Sequence, residues 1–280
     1  MNRLLSTVLL LLIAEITLAA EGVATTQTGD QIPYISYGSG SPSLILIHGW
    51  THNRTFWEPH IAALSKNHQV VTLDLASFGE SIYKRDDWSM GTFALDVDVV
   101  ISDLRIDKAV LVGFSMGGSI ALELASSDRK YVRGVVLVDM HRDPEWRPDE
   151  AFIESFVEDA KETWDDEDSL AASFSDGAPR TLLRRYISRT PETAPDAWWE
   201  SIRQLFLWIR NDFTNRVAQI DVPIVAINSA RNPTNVAVWK EIAPGFQVHI
   251  VEDVGHLGII WEKTEEFDQA LLDFVGEFKQ

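Results

Sequence analysis

The chain has 280 residues, 45% hydrophobic and 24% charged, the composition of a globular protein with a sizeable core and not of a disordered, collagenous or coiled-coil chain. Its 42 acidic residues against 24 Lys and Arg give a formal net charge of -18, which repels a phosphate backbone and argues against nucleic acid as a partner. Cysteine is absent, which excludes disulfides, thiolate zinc sites, iron-sulfur clusters and a cysteine nucleophile together.

In chain order, Arg3 is followed by the apolar stretch Leu4 to Leu18, broken by Ser6, Thr7, Glu15 and Thr17, and then by Ala19 and Ala20. The pattern is that of a secretory signal, too short for a membrane span of about 20 residues. Residues 1–20 are therefore expected to be removed on export to the periplasm or medium, leaving a mature protein with no stable membrane insertion. Tyr34 to Tyr37 is expected to end an early, antiparallel strand before the loop Gly38 to Pro42. Six further runs, Leu44 to Ile47, Val70 to Leu73, Ala109 to Val112, Val135 to Val138, Ile224 to Ile227 and Val248 to Val251, have the mostly β-branched or Leu character of strands buried on both faces. Helical spacing fills the gaps at Trp57 to Leu64, Thr92 to Leu104, Met116 to Ala125, Val236 to Ile242 and Glu265 to Phe278. Strands alternating with helices give the α/β class with a mainly parallel sheet.

One gap is too long. Roughly 85 residues separate Val138 from Ile224, where a crossover needs about a dozen. Residues 141–217 are acidic and aromatic, with helical spacing in Phe152 to Lys161 and Trp198 to Arg210. They are expected to form a helical cap over the C-terminal edge of a sheet built from residues 21–140 and 218–280.

Three features carry chemistry. Gly113-Phe114-Ser115-Met116-Gly117 lies between a predicted strand and a predicted helix, the setting of a G-x-S-x-G nucleophile elbow. The turn strains Ser115, and glycines two residues to either side let strand and helix approach. His48-Gly49-Trp50 follows the Leu44 strand; a sharp turn there aims the Trp50 N–H toward Ser115, and with the Met116 N–H it makes a two-donor oxyanion hole. His48 itself is read as a brace for the loop. Gly255-His256 follows the last predicted strand, where the imidazole can reach the Ser115 hydroxyl as a general base.

His48-Gly49, the Asp74 to Ser81 stretch, Gly113 to Gly117 and Gly255-His256 stand in the order and at the distances of the α/β-hydrolase superfamily, which the chain resembles from about residue 30 to residue 278. Its opening and its elbow are most similar to small carboxylesterases of the pimeloyl-ester type and to their haloperoxidase-like relatives. The resemblance implies a mostly parallel eight-stranded sheet flanked by helices, a helical cap inserted after strand 6, and a Ser-acid-His mechanism with no cofactor and no metal. In one departure, Asp74-Leu75-Ala76-Ser77-Phe78-Gly79 lacks the usual Pro-Gly after the Asp and one residue. A serine at the elbow also separates this chain from dehalogenase and epoxide-hydrolase relatives that use Asp, and implies an acyl-enzyme.

The acid is the unusual part. The superfamily pattern places it after the penultimate strand, where aligning Pro233 puts Asn232, an amide without the charge to stabilise an imidazolium. Asp139, directly after the Val135 strand, is the better carboxylate; Asp143 and Glu145 are less well placed and Asp253 is too near His256 in sequence. Apolar lining from Phe114, Trp146 and Trp208 suits a small hydrophobic ester. The expected activity is ester hydrolysis; lactone hydrolysis, carbon-carbon bond hydrolysis and perhydrolysis use the same constellation, and a non-catalytic ligand-binding protein on the same scaffold is the rival from another class.

Overall fold

The computed structural model describes residues 19–188 and 195–278. The expected signal therefore lies outside the described residues except for Ala19 and Ala20. Eight strands form one sheet: β1 (Ala19–Thr25), β2 (Gln31–Tyr37), β3 (Ser43–Ile47), β4 (Val70–Leu73), β5 (Ala109–Phe114), β6 (Val132–Val138), β7 (Ile224–Ser229) and β8 (Gln247–Val251). Their order is β1-β2-β4-β3-β5-β6-β7-β8. β2 pairs antiparallel with β1 and with β4, and every other pairing is parallel.

Alternate residues of the central strands feed two apolar layers. Ile45 and Ile47 of β3 face one layer with α2 (Met90–Asp103) and α3 (Met116–Ser126), whereas Leu44 and Leu46 face the other with α1 (Glu58–Leu64) and α11 (Thr264–Glu277). Burial on both faces explains why these strands read as continuous apolar runs. β8 departs from that pattern, since Val248, His249 and Ile250 are only half-buried at the sheet edge. β1 was not foreseen as a strand. Only its Ala24 is buried, so the segment holds by backbone pairing to β2 and carries no apolar alternation in its sequence.

Between β6 and β7 lie α4 (Glu150–Thr163), α5 (Glu167–Ala171), α6 (Arg180–Ile187), α7 (Asp196–Asn211) and α8 (Phe213–Val217). The Asp149 side chain caps α4 by accepting from the Phe152 N–H, the usual answer to unpaired amides at a helix start. α7 is tied to the core by two indoles: Trp198 Nε1 donates to the Ser77 carbonyl at 2.9 Å, and Trp50 Nε1 donates to the Trp198 carbonyl at 2.8 Å. Two more helices follow β7, α9 (Val236–Ile242) and α10 (Gly258–Trp261). No described helix is long and apolar enough to cross a membrane.

Candidate active site

Ser115 joins β5 to α3 with φ 51° and ψ -120°, a conformation that is strained for any residue with a side chain. The register explains how it is held. Phe114 pairs with Val138 across β5 and β6, and the Ser115 N–H donates to the Val138 carbonyl at 3.0 Å. Glycine is required where the helix meets the strand: a Cβ on Gly113 falls 2.2 Å from the Gly117 carbonyl oxygen, and one on Gly117 falls 2.4 Å from that of Ile47. Ser115 thus stands at the C-terminal edge of the sheet, where loops from neighbouring strands converge.

The loop after β3 supplies the facing side. A Cβ on Gly49 would sit 3.1 Å from Ser115 Cβ, so this backbone passes close to the hydroxyl. His48 Nε2 accepts from the Leu75 N–H at 3.1 Å, which fixes the ring proton on Nδ1, 2.8 Å from the Gly49 carbonyl. That carbonyl and the Trp50 N–H belong to the same planar peptide. Holding the one therefore orients the other. Burial pushes His48 below its ordinary value against the opposing effects of the Gly49 carbonyl and the Asp74 charge, which keeps the ring neutral. Among the described residues neither the Trp50 nor the Met116 amide donates to a protein acceptor, and Met116 opens α3, where the first amides have no partner within the helix.

His256 follows β8 and packs against Phe114, with ring centroids 4.5 Å apart. Its Nδ1 lies 2.6 Å from Asp139 Oδ2, which leaves Nε2 for another partner. Asp139 follows β6, its N–H bonded to the Ile227 carbonyl of β7 at 2.9 Å, and its side chain is wholly buried. The second carboxylate oxygen accepts from the Ser229 N–H at 2.7 Å and from the Arg142 guanidinium, which also donates to Ser229 Oγ at 2.7 Å. Burial pushes the Asp139 carboxyl up, but the hydrogen bond and charge of His256, the charge of Arg142 and the Ser229 amide outweigh it. The net effect is a fall from 3.8 to about 2. Asp139 is therefore a carboxylate at neutral pH.

Asn232 lies exposed in the loop after β7 and is not the partner of His256. Phe114 stands between His256, Phe56 and His52. The other two aromatics of the expected pocket lie elsewhere. Trp146 is 41% exposed and packs edge-on against Phe152 and Phe206 on the outer face of the cap. Trp208 donates to Glu123 Oε2 at 2.8 Å and packs near His141 and Phe213, as a joint between α7 and α3. Aromatic composition marks the cap without telling its inner from its outer face. Arg142 and Ser229 were not singled out from sequence; the one available signal was Arg142 standing three residues beyond an acid at a strand end. Among the described residues no three His, Asp or Glu side chains are placed to hold a metal ion.

A doubly flanked, mainly parallel sheet with a strained serine at its C-terminal edge and a paired histidine and aspartate beside it defines a hydrolase of the α/β type. Residues 44–270 match the model of the alpha/beta hydrolase family, and the chain belongs to that family. The non-heme chloroperoxidase CPO-A1 of Kitasatospora aureofaciens is 23% identical over 286 residues, which cover 91% of this chain and 99% of that protein. The pimeloyl-(acyl-carrier protein) methyl ester esterase of Vibrio atlanticus is 26% identical over 203 residues, 66% of this chain and 74% of that one. In structure, the esterase EaEST from Exiguobacterium antarcticum superposes with a TM-score of 0.78 at 21% identity, covering 91% of this chain and 98% of that one.

Proposed function

We propose that this hydrolase is an exported serine carboxylesterase that cleaves uncharged esters of short to medium chain length through an acyl-enzyme. The observation that carries the reading is the pairing of His256 Nδ1 with the buried Asp139 at 2.6 Å, next to a serine held at φ 51°. Ser115 Oγ attacks the ester carbonyl while its proton passes to His256 Nε2, and Asp139 stabilises the imidazolium that forms. The oxyanion receives the Trp50 and Met116 amides. Collapse expels the alcohol, which takes the proton from His256, and water then repeats the sequence on the acyl-enzyme.

The test is labelling of the purified chain with a fluorophosphonate, followed by turnover of p-nitrophenyl esters of increasing chain length. Ser115→Ala should abolish labelling and lower kcat by about six orders of magnitude; a variant within tenfold of the parent would place the nucleophile elsewhere. Export rests on the segment Met1 to Ala20, and N-terminal sequencing of the product should begin at or near Glu21. Ala19, Ala20 and Glu21 are all exposed on β1, so cleavage there costs no core contact.

The full-length likeness to a protein named a non-heme chloroperoxidase favours a second reading, perhydrolysis, with hydrogen peroxide in place of water as the acyl acceptor. With acetate as the acyl donor, peroxide would yield peracetic acid, which oxidises added bromide and is reduced to acetate; bromination of monochlorodimedone that needs peroxide and bromide and is lost in Ser115→Ala would support it.

A further inference from the structure

From its contacts we infer that Tyr186, on cap helix α6, is a positioning residue for the oxyanion hole, acting through the backbone of Thr51; the inference rests on the serine-hydrolase reading above. Thr51 follows Trp50, and its φ of 66° is a left-handed conformation that a β-branched residue strongly disfavours. Side chains hold it there. The Thr51 hydroxyl donates to the Trp50 carbonyl at 2.6 Å and lies 3.0 Å from the Tyr186 hydroxyl and 3.2 Å from His52 Nδ1. The third side of this triangle, Tyr186 to His52 Nδ1, measures 3.1 Å. All three residues are buried.

A count of protons gives the triangle a direction. The Thr51 proton lies toward the Trp50 carbonyl, so Thr51 Oγ1 accepts from its other neighbours. With the ring proton on His52 Nδ1, the donors run in series: His52 to the Tyr186 oxygen, Tyr186 to Thr51 Oγ1, and Thr51 to the Trp50 carbonyl. His52 Nε2, which has no partner, is then a bare acceptor. The opposite tautomer leaves an N–H buried without an acceptor, the rarer and costlier orphan. Burial pushes His52 well below its ordinary value, so the ring is neutral and the series keeps its direction.

The series reaches the oxyanion donor by two routes. It ends on the Trp50 carbonyl, and it fixes His52, whose own N–H donates to the Gly49 carbonyl at 3.3 Å. That carbonyl shares a peptide plane with the Trp50 N–H. A hydroxyl on the cap thereby sets the aim of an amide in the core.

The experiment is steady-state hydrolysis of p-nitrophenyl butyrate by the full chain, with thermal melts to verify folding. Tyr186→Phe should lower kcat about tenfold, short of the 10²–10³ lost when an oxyanion donor is absent, with KM changed less than about twofold. Inhibition by a boronic acid, whose tetrahedral adduct occupies the same hole, should weaken by a similar factor. Thr51→Gly provides the discriminating background, because glycine holds a φ near 66° without help. There Tyr186→Phe should lower kcat only about threefold, because the Thr51 route is gone and the His52 route alone remains. An equal loss in both backgrounds, or an active parent indifferent to Tyr186→Phe, overturns the coupling alone. A parent inert to the ester and to a fluorophosphonate overturns the proposed function with it.

Discussion

The Asp139 carboxylate serves three donors, and one of them, Arg142, competes with the imidazole that Asp139 is proposed to orient. Asp139 has φ 52°, a left-handed conformation that Asn also tolerates, so Asp139→Asn removes the charge while keeping the turn. It should lower kcat on p-nitrophenyl butyrate by about 10⁴; full activity would remove Asp139 from the mechanism. The same carboxylate is linked to acid stability. Its folded value of about 2 lies below the unfolded 3.8, so its contribution, about 2 kcal/mol, is complete above pH 4 and is lost as pH falls through 2. Melts of the parent and of Asp139→Asn should converge across that window, and parallel curves would contradict the linkage. Ser115, His256 and Asp139 could be singled out from sequence because each follows a predicted strand, the first two beside a glycine signature. Arg142 and Ser229 could not, since their contact with Asp139 depends on how two loops from different strands fold back.

Parallel strands turn sequence neighbours at the sheet edge into spatial neighbours, which is how β5, β6 and β7 place Ser115, Asp139 and Ser229 side by side. The central strands were legible because burial on both faces leaves a run of apolar residues. β1 and the short helices α5, α8 and α10 lack that constraint, and their sequences show no period long enough to read, whereas β8, though only half-buried, was legible from the run Val248 to Val251. The Asp74 to Ser81 loop makes the point at an element boundary. It lacks the Pro-Gly of the superfamily pattern, and Ser77 holds φ 72°, where glycine is the residue at ease. Gly79 is close enough that a Cβ would lie 2.3 Å from Asp74 Oδ2, and Asp74 accepts from the Arg54 and Glu80 amides at 2.7 and 2.9 Å. The loop therefore makes its turn at the expense of strain in Ser77, whose buried hydroxyl has no partner. Ser77→Gly should relieve both and stabilise by about 1 kcal/mol after the added freedom of the unfolded chain is subtracted. The midpoint of thermal unfolding should rise by about 2–4 °C; a fall would show that the serine makes a contact worth more than its strain.

At the scale of the whole molecule, the antiparallel end of the sheet is fastened to the α/β layers by one cation. Arg85 donates from both guanidinium ends to Asp96 of α2 at 2.7 Å each, and donates to the Thr92 carbonyl at 3.1 Å. Its cationic head also lies over Phe93, 4.8 Å from the ring centre. Asp30, in the turn between β1 and β2, lies 3.8 Å from the same guanidinium and accepts from the Lys84 amide at 2.6 Å. The three side chains are almost wholly buried. In a chain with a net charge of -18, one buried cation between two carboxylates leaves the folded state dependent on that single charge. Burial pushes Asp96 up to about 6 despite Arg85 and the Ala76 amide. A carboxyl raised above its unfolded 3.8 favours folding below that value and withdraws the benefit as pH rises through its folded one. Arg85→Met takes away the main opposing influence and raises Asp96 further, so the variant should lose about 3–5 kcal/mol at pH 8 and recover much of it at pH 5, where Asp96 can bind a proton. Adding Asp96→Asn removes the charge that would otherwise be buried alone, and should flatten the pH dependence while restoring part of the loss. Thermal melts of the parent, the single and the double variant from pH 5 to pH 8 are the measurement. If Arg85→Met melts at one temperature across that range, the carboxylate is not what the arginine neutralises, and the first hairpin is held by its other ties, the pairing of β2 to β4 and the Tyr34 hydroxyl on Asp103 of α2 among them.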